Sequence, residues 1–471
     1  MTQIEDTYFL DYNTAVDIAS QDKWLDKWNK QLCYYSGDFK ENNLENLIHL
    51  PFENIVDYFI TKDTRIPTKI DTNGLELSQE VKDDILNSFN ILRSQIDVKL
   101  EQMGQLLTNE IKSKKLNFNE PLRFLLKGNK TTEVMQYQSK NIANTIKDMG
   151  YEVRFELDNQ YETINNYRIT KAIFEYNPHV TININSIDNF YLNDDTFNFI
   201  WFQDQVDLLV QDKEIKLRDR DFVFHLTKDI EEFILEKNIN STFQPFCLDK
   251  NVYKIYNDIK KEKKVVFIGS SFQSTLDSMK KYTIFQDVYN ETLNIFEQKS
   301  CLTPSHYEHL MNKYNVPKRF IKFIDAYLTR DYCLEKLCSI KTDYKIEVYG
   351  NGWENNTTIE PYYKGTLKYG EDISKVYNSA TYGFCSSTYI LMQRTLECAF
   401  SGTIPLVLDV RDGKQDSCDK RTEDSLELFT LNNLEDILNK EPSKKDFDFI
   451  RDRYTFNRFI DSCIDKINTF K

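Results

Sequence analysis

The sequence predicts an α/β protein in which a helical accessory region precedes two Rossmann-like, doubly wound domains. Three observations predict this fold class. Strands and helices alternate from Pro121 onward, as they do in a parallel sheet with helices on both faces. A second strand–loop–helix unit, VVFIGSSFQSTLDSMKK, begins at Val265. Residues 377–410 then follow the order strand, loop, helix and apolar strand, which is the repeating unit of such a sheet.

Composition argues against several classes of protein. The 471 residues carry a net charge of −14, whereas a nucleic-acid-binding surface is basic, so we expect no nucleic-acid partner. The nine cysteines are scattered, and the histidines lack metal-ligand spacing, so we expect no structural zinc. The chain begins with early acids and no apolar run, and it has no stretch of 18 apolar residues. The sequence therefore predicts a reduced, cytoplasmic protein without a membrane span.

Residues 1–118 are predicted to form the helical accessory region. Within it, Ser78 is a candidate N-cap, and apolar residues recur every three or four positions as far as Leu107. This spacing predicts one long amphipathic helix over residues 78–111. Its apolar face packs either against the chain's own first domain or against a partner, so a homodimer through this region is an open alternative.

Residues 119–249 form the first predicted doubly wound domain. Because ligands bind at the carboxyl ends of parallel strands, the polar residues near those ends are candidate site residues. Asp204 follows the strand FNFIWFQ, and His225 lies near the end of the strand DFVFHLT. Each also has a structural alternative, since Asp204 can cap a turn and His225 can be a buried, hydrogen-bonded core residue.

Residues 250–445 form the second predicted domain, which contains two candidate binding loops. The first loop opens a helix with small residues, a pattern that binds phosphate through free backbone N–H groups. It consists of Gly269, Ser270 and Ser271. The second loop ends the strand YKIEVYG in a Gly-Asn-Gly turn. It consists of Tyr349, Gly350, Asn351, Gly352 and Trp353. For Trp353, stacking on a ligand and burial in the core are both open.

The segment 377–410 carries the most specific pattern. A short apolar strand ends in the hydroxyl residues Ser386, Ser387 and Thr388, and a helix follows over LMQRTLECAFSG. Arg394 and Glu397 lie three positions apart in that helix, so they share one face. An arginine can neutralise a phosphate, and a glutamate can accept hydrogen bonds from ribose hydroxyls. The segment therefore predicts a site for a nucleotide diphosphate.

The sequence Arg-Thr-Leu-Glu-Cys-Ala-Phe-Ser-Gly at 394–402, followed by a buried strand, resembles the donor site of group 1 glycosyltransferases of the GT-B fold. The variant is most similar to the spore-maturation (CgeB-like) glycosyltransferases. The resemblance covers about residues 121–471. It implies two domains facing each other across a cleft, with a C-terminal helix at 446–471 that crosses back to the first domain. It also implies a nucleotide-sugar co-substrate, UDP- or GDP-linked, with no separate cofactor, and a ribose held by Glu397.

The activity implied by the resemblance is transfer of a sugar to a hydroxyl of a glycan or protein acceptor. Developing charge on the diphosphate would be stabilised by Arg394, by the backbone around Ser270 and Ser271, and by the loop 386–388. Asp204 and His225 are the candidate bases for the acceptor hydroxyl.

Two features of the sequence bear on the mechanism that the resemblance implies. Retaining members carry two glutamates, and Tyr389 stands at the first position, so the stereochemistry is not assigned. No Asp-x-Asp motif follows an apolar strand, so we expect metal independence. Two other classes of function remain as alternatives: a sugar-nucleotide epimerase, and a non-catalytic binding or scaffold protein that uses residues 1–118.

Overall fold

The computed structural model describes residues 6–21, 31–62, 66–73, 75–129, 133–158, 167–211, 214–414 and 418–470. It contains three sheets whose described strand pairs are parallel. The predicted fold class, α/β with Rossmann-like parallel sheets, is thereby confirmed. The chain divides into two compact units, Met1–Phe202 with Val206–Val223 and Gln203–Gln205 with Phe224–Lys471.

The accessory region contains a small parallel sheet in addition to helices. Its four strands lie in the order β3-β2-β1-β4. They are β1 (Thr7–Phe9), β2 (Cys33–Tyr35), β3 (Leu47–His49) and β4 (Lys69–Asp71). Its helices are α1 (Tyr12–Ala19), α2 (Ile55–Thr61) and α3 (Gln79–Ser113). The sequence predicted a mostly helical region here, because strands of three residues are too short to show a two-residue period.

The long helix α3 is present and begins where the sequence predicts. The side chain of Ser78 accepts a hydrogen bond from the backbone N–H of Val81 at 3.4 Å, which caps the first turn. The inner face of α3 buries Phe89 and Ile96 against the small sheet. Near its end, Ile111 packs with the next sheet of the same unit. The apolar face is therefore used within the chain, and a homodimer stays a prediction.

The second sheet has six strands in the order β10-β9-β8-β7-β5-β6. They are β5 (Arg123–Asn129), β6 (Glu152–Asp158), β7 (Val180–Ile184), β8 (Phe197–Phe202), β9 (Asp221–His225) and β10 (Thr242–Phe243). Its helices are α4 (Glu133–Asp148), α5 (Tyr167–Tyr176), α6 (Asp207–Val210) and α7 (Lys228–Glu236). All six residues of β8 are buried, as expected for a central strand covered on both faces.

The third sheet has five strands in the order β12-β11-β13-β14-β15. They are β11 (Glu262–Ile268), β12 (Lys345–Tyr349), β13 (Ala380–Cys385), β14 (Ile404–Leu408) and β15 (Glu427–Phe429). The chain starts in β11, moves to one side for β12 and to the other for β13. This reversal creates a crevice at the carboxyl ends of β11 and β13, where ligands bind in open parallel sheets.

Helices surround the third sheet and continue to the end of the chain. The helices before β13 are α8 (Gln273–Met279), α9 (Phe285–Lys299), α10 (Pro304–Tyr314), α11 (Lys318–Tyr327), α12 (Cys333–Ser339) and α13 (Glu371–Asn378). Those after it are α14 (Gln393–Phe400), α15 (Arg411–Lys414), α16 (Lys420–Asp424), α17 (Leu434–Leu438), α18 (Asp448–Arg453) and α19 (Phe456–Phe470). A π-helical turn, Leu328–Tyr332, joins α11 to α12.

The last segment is two helices, whereas the sequence predicted one. Between α18 and α19 the backbone of Leu248 pairs with this segment: its N–H donates to Tyr454 at 2.9 Å, and its carbonyl accepts from Phe456 at 3.2 Å. The ring of Phe459 then lies 5.6 Å from that of Phe224. Among all helices of the described ranges, each is too short or too polar to cross a lipid bilayer.

Candidate functional site

Two glycine-containing loops meet at the carboxyl ends of β11 and β12. The N–H of Gly269 donates to the carbonyl of Tyr349, and the N–H of Ser271 donates to the carbonyl of Asn351, both at 2.9 Å. A Cβ atom on Gly350 would lie 2.1 Å from the Gly269 carbonyl oxygen, and its φ is +135°. Only glycine therefore allows the two backbones to approach this closely. The structure brings both predicted loops together.

The side chain of Trp353, which belongs to the second loop, bonds to the first loop. Its side chain is fully buried, and its Nε1–H donates to the Gly269 carbonyl at 2.7 Å. The ring also makes an edge-to-face contact with Phe267 at 5.7 Å. Of the two interpretations open in the sequence, the structure supports the core residue, because a buried ring presents no face on which a base could stack. Gly352, with φ +87°, is exposed at the loop tip.

The start of helix α8 was predicted to bind phosphate, and here the structure differs. The carboxylate of Asp331 accepts a hydrogen bond from the Ser271 hydroxyl and from the backbone N–H of Phe272 at 3.0 Å. The Ser271 oxygen in turn accepts from the N–H of Gln273 at 2.9 Å. Burial raises the pKa of Asp331, and these hydrogen bonds lower it. A carboxylate of the protein thus already occupies the anion position at this helix start.

The same loop instead positions Arg330, which the sequence analysis missed. Its Nη1 donates to the Ser270 carbonyl at 3.1 Å, and its guanidinium lies 4.0 Å from the centre of the Phe272 ring. Burial lowers the pKa of Arg330 to about 10, Asp331 opposes that shift, and the positive charge of Arg394 adds to it.

Arg394 and Glu397 form an ion pair on helix α14, as their spacing predicts. Glu397 is completely buried, and its Oε2 accepts from Nη1 of Arg394, whose side chain is 30% exposed. Its Oε1 accepts from Nε2 of Gln393 at 2.9 Å. Burial lowers the pKa of Arg394, but the Glu397 carboxylate outweighs it and raises the pKa well above its ordinary value. Arg394 is thus the accessible member of the pair.

The loop between β13 and α14 is longer than the sequence predicted. The helix begins at Gln393, whereas Ser386, Ser387 and Thr388 directly follow the strand. These three residues therefore lie at the strand end and do not form the first turn of the helix. The Ser386 hydroxyl is buried and has no hydrogen-bond partner among the described residues, which is unusual for a buried polar group.

The two candidate bases have different environments. Asp204 is exposed. His225 is 3% exposed, and its Nδ1 lies 2.8 Å from the Ser241 hydroxyl. Its Nε2 lies 3.9 Å from a carboxylate oxygen of Glu231. Burial lowers the pKa of His225, and the charge of Glu231 partly raises it again, so the imidazole is neutral at neutral pH.

A group of metal-ligating side chains is not present in the described ranges, where no three His, Cys, Asp or Glu residues are arranged to hold an ion. The sequence expectation of metal independence stays a prediction. None of the nine cysteines, all of which lie in the described ranges, forms a disulfide, and all are buried except Cys418, which is half-buried. In this state they behave as small apolar residues.

Structural comparison aligns the chain with two structures of TarM. A crystal structure of TarM matches 61% of this chain and 54% of the other, with 13% identity and a TM-score of 0.32. A mutant of S. aureus TarM bound to fondaparinux, alpha-GlcNAc-glycerol and UDP matches the same shares, with 13% identity and a TM-score of 0.31. The alignment thus spans about half the length of these solved chains. Likeness at this level carries no argument about activity.

Comparisons of sequence add no relative. No protein-family profile matches the chain, and no curated protein matches it. Function must therefore be inferred from the residues at the carboxyl ends of β11, β12 and β13.

Proposed function

We propose that the protein is a glycosyltransferase that takes a sugar from a nucleotide-sugar donor and transfers it to a hydroxyl group, without a metal ion. The observation that carries the proposal is that Arg330 and Arg394 lie beside the ends of two neighbouring strands of the third sheet. Arg330 is bonded to the loop that follows β11, and Arg394 lies in the first turn of the helix that follows β13. These strands are neighbours in the sheet.

The electrostatics of this pair favour a negatively charged ligand. Glu397 neutralises Arg394, whereas the nearest carboxylate to Arg330 in sequence, Asp331, is engaged by Ser271 and Phe272. Keeping a second guanidinium nearby costs free energy while the site is empty, because like charges repel. A diphosphate would relieve that repulsion through charge-assisted hydrogen bonds, which are the stronger class of hydrogen bond.

In the proposed reaction, the bond between the anomeric carbon and the diphosphate oxygen breaks, and its electron pair leaves on the nucleotide diphosphate. The two guanidinium groups stabilise this developing charge and so lower the barrier. The unpartnered Ser386 hydroxyl supplies one further donor at the end of β13. The acceptor oxygen forms the new bond to the anomeric carbon and gives its proton to a base.

The role proposed for Glu397 changes in the light of its burial. Both of its oxygens already accept hydrogen bonds, and its side chain has no exposed surface. A ribose hydroxyl would reach it only if Arg394 moved away. We therefore assign Glu397 first to orienting Arg394 toward the phosphates. Contact with the ribose remains a second proposal for the same residue.

His225 is the better candidate for the base. Its imidazole is neutral, and one nitrogen is held by Ser241. When Nδ1 donates to Ser241, Nε2 carries the lone pair that can accept a proton. Asp204 keeps the role of alternative base.

The test is a panel of UDP- and GDP-linked sugars with the purified protein. Specific binding should raise the melting temperature by mass action, and a transferase should release nucleotide diphosphate when a suitable hydroxyl acceptor is added. An epimerase would instead convert the nucleotide sugar without releasing diphosphate. A scaffold protein would show no turnover of any donor, and either of these results would replace the proposal.

A further inference from the structure

A cavity in the second unit lies beside His225, and neither Arg330 nor Arg394 lines it. It has a volume of about 570 Å³, within the range of small-molecule sites. Its walls come from β9, β10, the loop before α14 and the chain between α18 and α19. We call it the His225 cavity. Its lining includes His225, Phe243, Tyr389, Arg453, Tyr454 and Phe459.

The cavity presents aromatic surface next to the imidazole. Phe243 is 58% exposed, which is unusual for a phenylalanine, and its ring centre lies 5.8 Å from that of His225. Tyr454 and Phe459 also line the cavity. Flat apolar rings suit the C–H faces of a sugar or polyol, whose hydroxyl groups then point toward polar side chains.

The charged groups at the cavity are of both signs. Lys228, Arg453 and Arg458 face it, against two carboxylates, Glu231 and Asp419. With His225 neutral, this is three positive charges to two negative ones, whereas the whole chain carries −14. The lining is therefore close to neutral, whereas the chain as a whole is acidic.

Arg453 is less tightly paired than Arg458. Its Nη1 lies 3.7 Å from Asp419, beyond good hydrogen-bond distance, and its side chain is 54% exposed. Asp419 is already used as a helix cap, since it accepts from the backbone N–H and the hydroxyl of Thr422 at 3.1 and 3.0 Å. Arg458, by contrast, donates to Asp452 at 2.8 Å. The donors of Arg453 are therefore available to an anionic ligand.

We infer that the His225 cavity takes the acceptor, and that this acceptor is a carbohydrate or polyol carrying an anionic group, such as a phosphate or carboxylate. That this ligand is the acceptor rests on the proposed glycosyl transfer. The chemistry of the ligand is argued from the cavity alone. The ring or polyol chain packs on Phe243, and the anion binds Arg453. The reacting hydroxyl gives its proton to Nε2 of His225.

The position of the cavity fits this role. Tyr389 and Leu391 line it, and Arg394 follows three residues later on the same segment. The hydroxyl of Tyr389 donates to Asp229 at 2.8 Å, which fixes this wall to helix α7. One segment thus carries both a cavity wall and a proposed phosphate ligand.

The test measures binding without nucleotide, so that it does not depend on the donor site. Glucose 6-phosphate and glucuronate are compared with glucose, and ribitol 5-phosphate with ribitol, by calorimetric titration of the full-length protein. We expect the anionic member of each pair to bind at least tenfold more tightly. In Arg453→Gln this preference should fall to less than threefold, whereas it should persist in Arg319→Gln, which changes an exposed arginine outside the cavity.

A second variant, Phe243→Ala, removes the exposed ring and should weaken both members of each pair about equally. Equal affinity of wild-type protein for anionic and neutral probes, or binding of none of them, overturns the inference. A preference that survives Arg453→Gln also overturns it. Nucleotide titrations in the same variants should be unchanged, so that failure of the donor site is seen separately.

Discussion

The guanidinium of Arg394 donates to the carboxylate of Glu397, which has no solvent-exposed surface. This pair is the only ion pair among the described residues of helix α14, and it stands at the reversal point of the third sheet. A fully buried carboxylate is stable only while its partner remains, because removing one member leaves an uncompensated charge. The pair therefore couples the stability of the second unit to the residue proposed to bind phosphate.

The first prediction follows from this coupling. Arg394→Met should destabilise the protein by about 3 kcal/mol, seen as a clearly lower melting temperature, since Glu397 loses its counter-charge. The double variant Arg394→Met with Glu397→Gln should recover much of that loss, because a neutral amide tolerates burial better. Thermal unfolding of the two variants beside wild type measures this. No recovery in the double variant would show that the charge of Glu397 is not the cause.

The second prediction concerns Arg330. Arg330→Gln should weaken binding of a nucleoside diphosphate about 10- to 100-fold, the value of one lost charge-assisted hydrogen bond, and should leave nucleoside binding nearly unchanged. Calorimetric titration with UDP, GDP and the corresponding nucleosides measures the difference. Arg319→Gln is the matched control, because it removes the same charge from an exposed site. If Arg330→Gln and Arg319→Gln bind nucleoside diphosphate with equal affinity, Arg330 is not a phosphate ligand.

The third prediction separates steric contact from backbone strain. Gly350→Ala should push apart the loops after β11 and β12, because the new Cβ would meet the Gly269 carbonyl at 2.1 Å, and nucleotide binding should be lost. Gly150→Ala is the control, since its φ of +87° is also unfavourable but nothing lies within 4 Å of its Cβ position. We expect the control to lose about 1–2 kcal/mol of stability and to keep nucleotide binding. Melting temperatures and titrations distinguish the two.

The fourth prediction is that the reaction needs no divalent metal. Activity should be unchanged after treatment with EDTA and after re-addition of Mg²⁺ or Mn²⁺, because Arg330 and Arg394 supply the positive charge at the diphosphate. The measurement is the rate of nucleotide diphosphate release with and without chelator. A rate that collapses with EDTA and returns with metal would assign the leaving-group charge to an ion instead.

The structure of residues 377–410 could be predicted because it follows from patterns within one short stretch of sequence. Apolar strands and a helix of fixed period place Arg394 and Glu397 on one face by spacing alone, and the structure pairs them. Arg330 could not be found this way. Its contact with the Ser270 carbonyl joins residues 60 positions apart, and it lies in a π-helical turn that has no sequence signature. A half-buried arginine beside a buried acid is visible only once the fold is known.

The predicted phosphate site at Ser271 shows what a local sequence pattern does not decide. Small residues before a helix create a site for an anion, but the sequence does not say which anion occupies it. In the structure Asp331 fills that position from the π-helical turn between α11 and α12. Trp353 is similar, because an aromatic residue in a glycine-rich loop fits both a ligand platform and a buried anchor. Its hydrogen bond to Gly269 decides between them.

The last prediction concerns the pH dependence of transfer. Burial lowers the pKa of His225 below its ordinary value of about 6.5, so the neutral base is present at neutral pH and is lost only as the pH falls through the lowered pKa. The value of kcat/KM should therefore be flat near neutrality and should decline at a midpoint below pH 6.5. His225→Asn should reduce kcat strongly and remove this decline, whereas Asp204→Asn should keep it. A decline that persists in His225→Asn and vanishes in Asp204→Asn would move the role of base to Asp204.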